Sequence, residues 1–182
     1  MLKKYERVIK RVLNSTDPKK FPNLSKVGFI NGFYYATDGY RMVRFEESPN
    51  ELPVFGENEN HPNYEVVARG KEKTDISYTE LIIPYTVKQI KAYRKATKGM
   101  KMPFYLGAKV KKSVYSGSKY GIAINPVFLA DAMELTGSNV LLIPEYGACM
   151  LMIGNGFTFF VMGIWVQPDT TGYDSMTEIT EE

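Results

Sequence analysis

The chain has 182 residues, 44% hydrophobic and 24% charged, with one cysteine and a formal net charge of +3. That is enough for one domain or a condensed pair with a real core, and the lone Cys149 excludes an internal disulfide and suits a reducing cytosol. No apolar run approaches the roughly 20 residues of a membrane span, and no apolar signal region follows Met1-Leu2-Lys3-Lys4, so a cytoplasmic protein with no membrane partner is expected.

Residues 1–14 read as an amphipathic helix. At helical spacing Leu2, Tyr5, Val8, Ile9, Val12 and Leu13 share one face, and Lys3, Lys4, Arg7, Lys10 and Arg11 share the other. Asn14 to Asp17 and Pro18 stop it. A hairpin comes next, with Val27 to Ile30 and Phe33 to Ala36 around the turn pair Asn31-Gly32. A second turn at Asp38-Gly39 leads into Arg41 to Phe45, which alternates as a strand. Residues 46–63, rich in Glu, Asn and Pro, read as a long surface loop or insertion. Tyr64 to Ala68 and Leu81 to Ile83 are short strand candidates. Pro84 opens a second helix over roughly Thr86 to Lys98, stopped by Gly99, with Val87, Ile90 and Tyr93 on its apolar stripe.

Phe104 to Leu106, Lys109 to Tyr115 and Tyr120 to Ile124 alternate as strands between Gly/Ser turns. The third helix is punctuated by Asn125 as N-cap, Pro126 at the first position and Gly137 beyond its end. It is apolar almost all round and has no basic residue. Val140 to Ile143, Ala148 to Ile153 and Phe157 to Val166 complete a strand-rich end, and the tail from Gln167 is expected to be flexible. Helices alternating with runs of antiparallel strands indicate an α+β fold. No Gly-rich loop joins a strand to a helix, which argues against doubly wound nucleotide binding.

Charge is distributed unevenly. Gln167 to Glu182 holds Asp169, Asp174, Glu178, Glu181 and Glu182 and no basic residue, leaving a body of net +8. Leu81 to Ala130 holds ten Lys and Arg and no acid. Such a block is either a solvated surface or a site for a polyanion. The second helix repeats the pattern of the first, with Lys88, Lys91, Arg94, Lys95 and Lys98 opposite its apolar stripe. Two basic faces with almost no acid among them favour phosphate contact, which is independent of base sequence and sensitive to salt.

Metal and nucleophile chemistry have little to work with. His61 is the single histidine, with no cysteine or second histidine near it in sequence. Cys149 lies in the apolar run Ala148 to Leu151 and reads as a small buried hydrophobe. Asp17, Asp38, Asp131 and Glu134 are not spaced as a magnesium-binding cluster. A protein that is not an enzyme, with no cofactor and no metal, is expected.

Tyr35-Ala36-Thr37-Asp38-Gly39-Tyr40-Arg41-Met42-Val43 would form a turn between strands in any fold. It also resembles the Ala-Thr-Asp-Gly-His-Arg-Leu signature of the bacterial sliding clamp, the DNA polymerase III β subunit, with Tyr40 in place of His and Met42 in place of Leu. Two more stretches agree in order. Ile122 to Met133 resembles the Phe-Asn-x-x-Tyr-Leu-x-Asp-x-Leu helix opening of the clamp's last domain, and Phe157 to Val166 its final strand. Ile82-Ile83-Pro84 is more weakly similar to an Ile-Val-Pro helix start. Gly163 stands where the family has Pro and Trp165 where it has Arg, and the third helix lacks the basic face of a DNA-lining helix.

The resemblance implies a clamp-like fold of amphipathic helices packed on antiparallel sheets, and a shortened, phage-type relative of the three-domain clamp. Residues 1–166 would form a single clamp-like domain or a condensed pair, with an insertion near 46–80, followed by an acidic flexible tail at 167–182. It implies a processivity factor that holds double-stranded DNA loosely through phosphates and tethers a DNA polymerase or other clamp-binding replication proteins, with a homo-oligomer as the route to a ring. DNA contact would fall to Lys3, Lys4, Arg7, Lys10, Arg11, Lys88, Lys91, Arg94, Lys95 and Lys98. A peptide-binding cleft, by position, would involve Thr37, Gly39, Tyr40, Arg41, Met42, Phe160, Met162 and Gly163. The alternative is a clamp-fold DNA-binding accessory protein or protein-interaction module that does not encircle DNA.

Overall fold

The computed structural model describes residues 3–56, 76–98, 103–112 and 115–166. Among these residues three α-helices pack on antiparallel sheet: α1 (Lys3–Leu13), α2 (Val87–Ala96) and α3 (Pro126–Thr136). The strands are β1 (Gly28–Ile30), β2 (Phe33–Thr37), β3 (Arg41–Phe45), β4 (Tyr78–Ile82), β5 (Phe104–Lys111), β6 (Lys119–Ile124), β7 (Val140–Pro144), β8 (Cys149–Gly154), β9 (Phe157–Met162) and β10 (Ile164–Val166). Seven form one sheet in the order β1-β2-β3-β9-β8-β7-β4, and three form another in the order β10-β6-β5. This is the expected α+β arrangement. Among the described residues no helix is long and apolar enough to cross a membrane.

The helices begin and end for local reasons. Thr86 caps α2 in a reciprocal capping box: its hydroxyl accepts from the Gln89 amide at 3.3 Å, and the Gln89 side chain accepts from the Thr86 amide at 2.8 Å. At the other end Thr97 takes the last turn, its hydroxyl donating to the Tyr93 carbonyl, so the helix stops before the expected Gly99, which lies outside the described residues. Asn125 caps α3 by accepting from the Val127 amide at 2.9 Å, and Gly137 closes it in the left-handed conformation, φ 65°.

One buried cluster draws on all three helices and both sheets. α1 contributes Tyr5, Val8, Ile9, Val12 and Leu13, and the strands contribute Val43, Phe45, Phe157, Phe159 and Val161 from the helix-facing side of the large sheet. The alternating residues Tyr35, Met42, Leu151 and Phe160 form a second, smaller cluster on the opposite face.

Three sequence expectations are corrected. The single strand expected over Phe157 to Val166 is two strands: β9 pairs with β3 and β8 in the large sheet, and after Gly163 β10 pairs with β6 in the small one. A Cβ at Gly163 would press on the buried Ile122 side chain, which would have to shift. The two strands expected between Phe104 and Tyr115 are one strand, β5, with an irregular register between Tyr105 and Lys109. Of the segment 46–80, expected to hold an insertion, residues 46–56 and 76–80 are described and contact the rest of the fold. Leu52 is buried, Val27 and Val54 form a bridge, and Tyr78 to Glu80 pair with β7. Cys149 is half-buried on β8 rather than fully buried. The strand expected at Tyr64 to Ala68, His61 and the tail from Gln167 lie outside the described residues.

Candidate nucleic-acid interface and adjoining cleft

α1 and α2 reach the same side of the molecule because both pack beside α3. Between them lies an open groove of about 750 Å³, lined by Arg7, Lys10 and Arg11 of α1, Arg94 of α2, and Val127 and Asp131 of α3. Arg41, Glu6 and Glu51 also border it, so its basic side chains outnumber its acids five to three. A smaller depression of about 280 Å³ continues over Lys91 and Arg94 towards Pro126. The structure therefore brings cations from two helices, distant in sequence, to one concavity.

The ten basic residues singled out in the sequence are not equivalent there. Arg7, Lys88, Arg94, Lys95 and Lys98 are exposed, while Lys3 and Lys4 open α1. Lys10 lies 3.4 Å from Glu51, an exposed pair of little energetic weight. Arg11 and Lys91 are held from below by α3. Arg11 donates to Asp131 at 2.6 Å and to Glu134 at 3.1 Å, and Lys91 donates to Glu134 at 2.7 Å. Partial burial works against the charge of Arg11, but Asp131 and Glu134 outweigh it and raise its pKa further. For Glu134 burial opposes ionisation, yet Lys91 and then Arg11 prevail and the pKa is lowered. α3 has no basic face, as its sequence indicates. Its two acids instead anchor one cation from each neighbouring helix.

The Thr37–Met42 turn is organised by Asp38. One carboxylate oxygen accepts from the amides of Tyr40 and Arg41, each at 3.0 Å, and the other accepts from the Ser15 hydroxyl at 2.7 Å and from Arg41 Nε at 2.8 Å. Thr37 Oγ1 accepts from the Gly39 amide and donates to the Arg41 carbonyl. Gly39 has φ 88°, a conformation that favours glycine. Arg41 then turns inward. Its Nη1 reaches Asp131 at 2.5 Å, its Nη2 donates to the Arg11 carbonyl at 3.4 Å, and its plane lies 4.4 Å from the centre of the Phe128 ring. Asp38, Arg41 and Asp131 are all buried. Asp38, Asp131 and Glu134, far apart or unremarkable in the sequence, thus converge around arginine and lysine, while Asp17 stays apart. Long-range charge pairing of this kind has no local sequence signal.

The two segments assigned to the cleft lie side by side. The Met162 amide donates to the Tyr40 carbonyl at 2.9 Å, and Met42 is the strand partner of Phe160. Tyr40 is 67% and Met162 45% exposed, above the buried Met42 and Phe160. Cys149 and Leu151 of β8 continue the apolar surface. Arg41, expected in the cleft, is on the other face of the sheet, its guanidinium committed to Asp38 and Asp131, and does not face the cleft. Gly163 is half-buried between Ile122 and Ala148, whose carbonyl accepts its amide at 2.6 Å.

No family model and no curated protein matches the sequence. Solved structures do match the fold. The DNA polymerase III β subunit of Thermotoga maritima aligns with a TM-score of 0.51 and 14% identity over 87% of this chain and 62% of its own. That of Borrelia burgdorferi, solved with a natural product, gives 0.52 and 13% over 88% and 60%. The Helicobacter pylori β clamp bound to a DNA ligase peptide gives 0.53 and 13% over 87% and 61%. The fold is that of a sliding clamp, and the chain spans about three fifths of the length of the clamps it matches.

Proposed function

We propose that this chain is a clamp-like DNA-binding protein that holds duplex DNA through its phosphates, without base specificity, and tethers replication proteins. The observation that carries the reading is the groove in which Arg7 and Lys10 of α1 meet Arg94 of α2. Exposed cations on a concave surface suit a polyanion, and contacts made only to phosphate leave it free to slide. Within the ten basic residues the weight falls on Arg7, Lys10, Lys88, Arg94, Lys95 and Lys98, with Lys3 and Lys4 at the start of α1. Arg11 and Lys91 serve mainly to tie the helices to α3. Charge reversal at Arg7 and Arg94, followed by duplex binding across a salt series, tests this reading.

The neighbouring clamp that carries a DNA ligase peptide supports a peptide cleft here as well, at Thr37, Gly39, Tyr40 and Met42 with Phe160, Met162 and Gly163. Tyr40 and Met162 offer the exposed anchor surface. Catalysis forms no part of the proposal, because the carboxylates that converge are neutralised by Arg41, Arg11 and Lys91.

A second reading is a clamp-fold accessory protein or interaction module that binds DNA or peptides without encircling DNA. It is favoured by α3, which carries no basic residue to line a DNA channel. Light scattering at high protein concentration separates the two. A closed homo-oligomer supports the sliding clamp, and a monomer supports the accessory protein.

A further inference from the structure

A second concentration of positive charge lies away from the helices, on the outward face of the small sheet. Lys109 and Lys111 of β5 alternate on this face, and their strand partners on β6 are Gly121 and Lys119. The opposite face, carrying Val110, Ile122 and Ile124, is in the core. Lys111 and Lys119 are therefore direct cross-strand partners of like charge, an arrangement that opposes pairing unless an anion offsets it. The anions nearby do so only in part. Glu145 is 3.9 Å from Lys111, and Glu80 lines the same shallow groove. Lys109 and Lys119 are exposed and make no ion pair among the described residues. Lys112, on the other face, sits over the Tyr120 ring.

The small sheet's register identifies the occupant. β10 is the neighbour of β6, and its last residue, Val166, pairs with Gly121, which pairs in turn with Lys109. The chain therefore leaves β10 heading towards Lys119. Directly after β10 comes an acidic stretch with no basic residue, with Asp169 only three residues beyond Val166 and Asp174, Glu178, Glu181 and Glu182 behind it. Three extended residues reach roughly 10 Å, about two strand spacings, which is long enough for Asp169 to reach Lys119 without any long loop having to close. Attachment at Val166 also gives the acids a high effective concentration at these lysines.

We propose that the lysine face of the β5–β6 hairpin is a docking surface for the chain's own acidic segment 167–182. Docked there, the segment screens Lys109, Lys111 and Lys119 from external polyanions and relieves the like-charge pair. Bound by exposed charges alone, it is released as salt rises. This inference does not depend on the clamp reading, since it uses only the sheet register and the charge pattern.

Zero-length carbodiimide cross-linking of the full chain, mapped by mass spectrometry, tests it. The expected links join Asp169 or Asp174 to Lys119 or Lys109, at several times the yield of links to Lys88, Lys91 or Lys95, and they disappear at about 1 M salt, where charges are screened within about 3 Å. Links spread evenly over all lysines, or concentrated on α2, overturn the proposal. A second measurement uses the substitutions Asp169→Asn, Asp174→Asn and Glu178→Gln together, at unchanged melting temperature. The neutralised chain should bind a heparin-type polyanion several-fold more tightly, and Lys109→Glu with Lys119→Glu should abolish that gain. A gain that survives both lysine reversals also overturns it, because the segment would then cover some other basic surface.

Discussion

Arg41 Nη1 lies 2.5 Å from Asp131 Oδ2, joining the turn after β2 to the middle of α3 across 90 residues of sequence. Both side chains are almost wholly inaccessible, and Asp38 holds the guanidinium from the other side at 2.8 Å. The turn is thus locked to the helix that also positions Arg11 and Lys91. Removing one partner of such a pair leaves a buried charge uncompensated, at about 3–5 kcal/mol. Arg41→Met and Asp131→Asn should each lower stability by that order in urea titrations. The double substitution should cost clearly less than the two single losses added together. Additive losses would mean that the two residues are not energetically coupled.

The groove reading predicts a split among the basic residues. Arg7→Glu with Arg94→Glu should weaken duplex binding on every sequence alike and flatten its salt dependence, since fewer counterions are released. Melting temperature should hardly change, because neither side chain is buried. Lys91→Glu should instead loosen α2 from α3 by placing a carboxylate against Glu134. Fluorescence anisotropy over a salt series, with thermal melts alongside, distinguishes these outcomes. Duplex binding unchanged by the first pair at low salt would remove the groove from the DNA interface.

Acid should weaken the α1–α3–α2 bridge in a defined direction. The pKa of Glu134 is lowered in the folded state, so its contribution is present above the unfolded carboxylate range and lost as pH falls through the folded pKa. Unfolding free energy should therefore decline as pH drops below about 4.3, the ordinary glutamate value. Glu134→Gln should be less stable at neutral pH and show a shallower acid decline. Matching pH slopes for the two proteins would contradict the assignment.

Two glycines are held by contact. A Cβ at Gly154 would fall on the Thr136 carbonyl oxygen, and one at Gly163 on the Ile122 side chain. Gly154→Ala has backbone to displace, so it should cost more than Gly163→Ala, each within the usual range of about 1–3 kcal/mol for overpacking. Gly163→Pro, which restores the clamp family's residue, should be worse than Gly163→Ala because it also removes the amide donated to Ala148. Urea denaturation of the three variants gives the order directly.

For the cleft, Tyr40→Ala and Met162→Ala should weaken a clamp-binding peptide by about 1 kcal/mol or more while leaving the fold intact, as exposed anchor residues do. Met42→Ala should instead lower stability by about 2–5 kcal/mol, because that side chain is only 2% exposed and its loss leaves a cavity. Calorimetric titration with unfolding curves separates binding loss from folding loss. Peptide binding indifferent to both exposed substitutions would place the cleft elsewhere.

Local physics made much of this protein legible in its sequence. Apolar spacing in α1, the caps Asn125 and Gly137 on α3, and the Asn31-Gly32 hairpin are decided within a few residues, so their patterns can be read directly. The turn at Asp38-Gly39 was also visible, because a carboxylate that accepts neighbouring amides and a glycine at positive φ are short-range requirements. Tertiary structure alone decided what those residues face. Arg41 turns inward rather than into a cleft, because the carboxylate that fixes it is on a helix 90 residues away. Phe157 to Val166 divides between two sheets because β9 pairs with β3 and β8 while β10 pairs with β6, and pairing between segments distant in sequence leaves no local signal. Of the basic residues in α1 and α2, Arg11 and Lys91 are spent on α3, since charge pairing depends on which helices meet. Helical periodicity records which face is polar, but not what that face opposes.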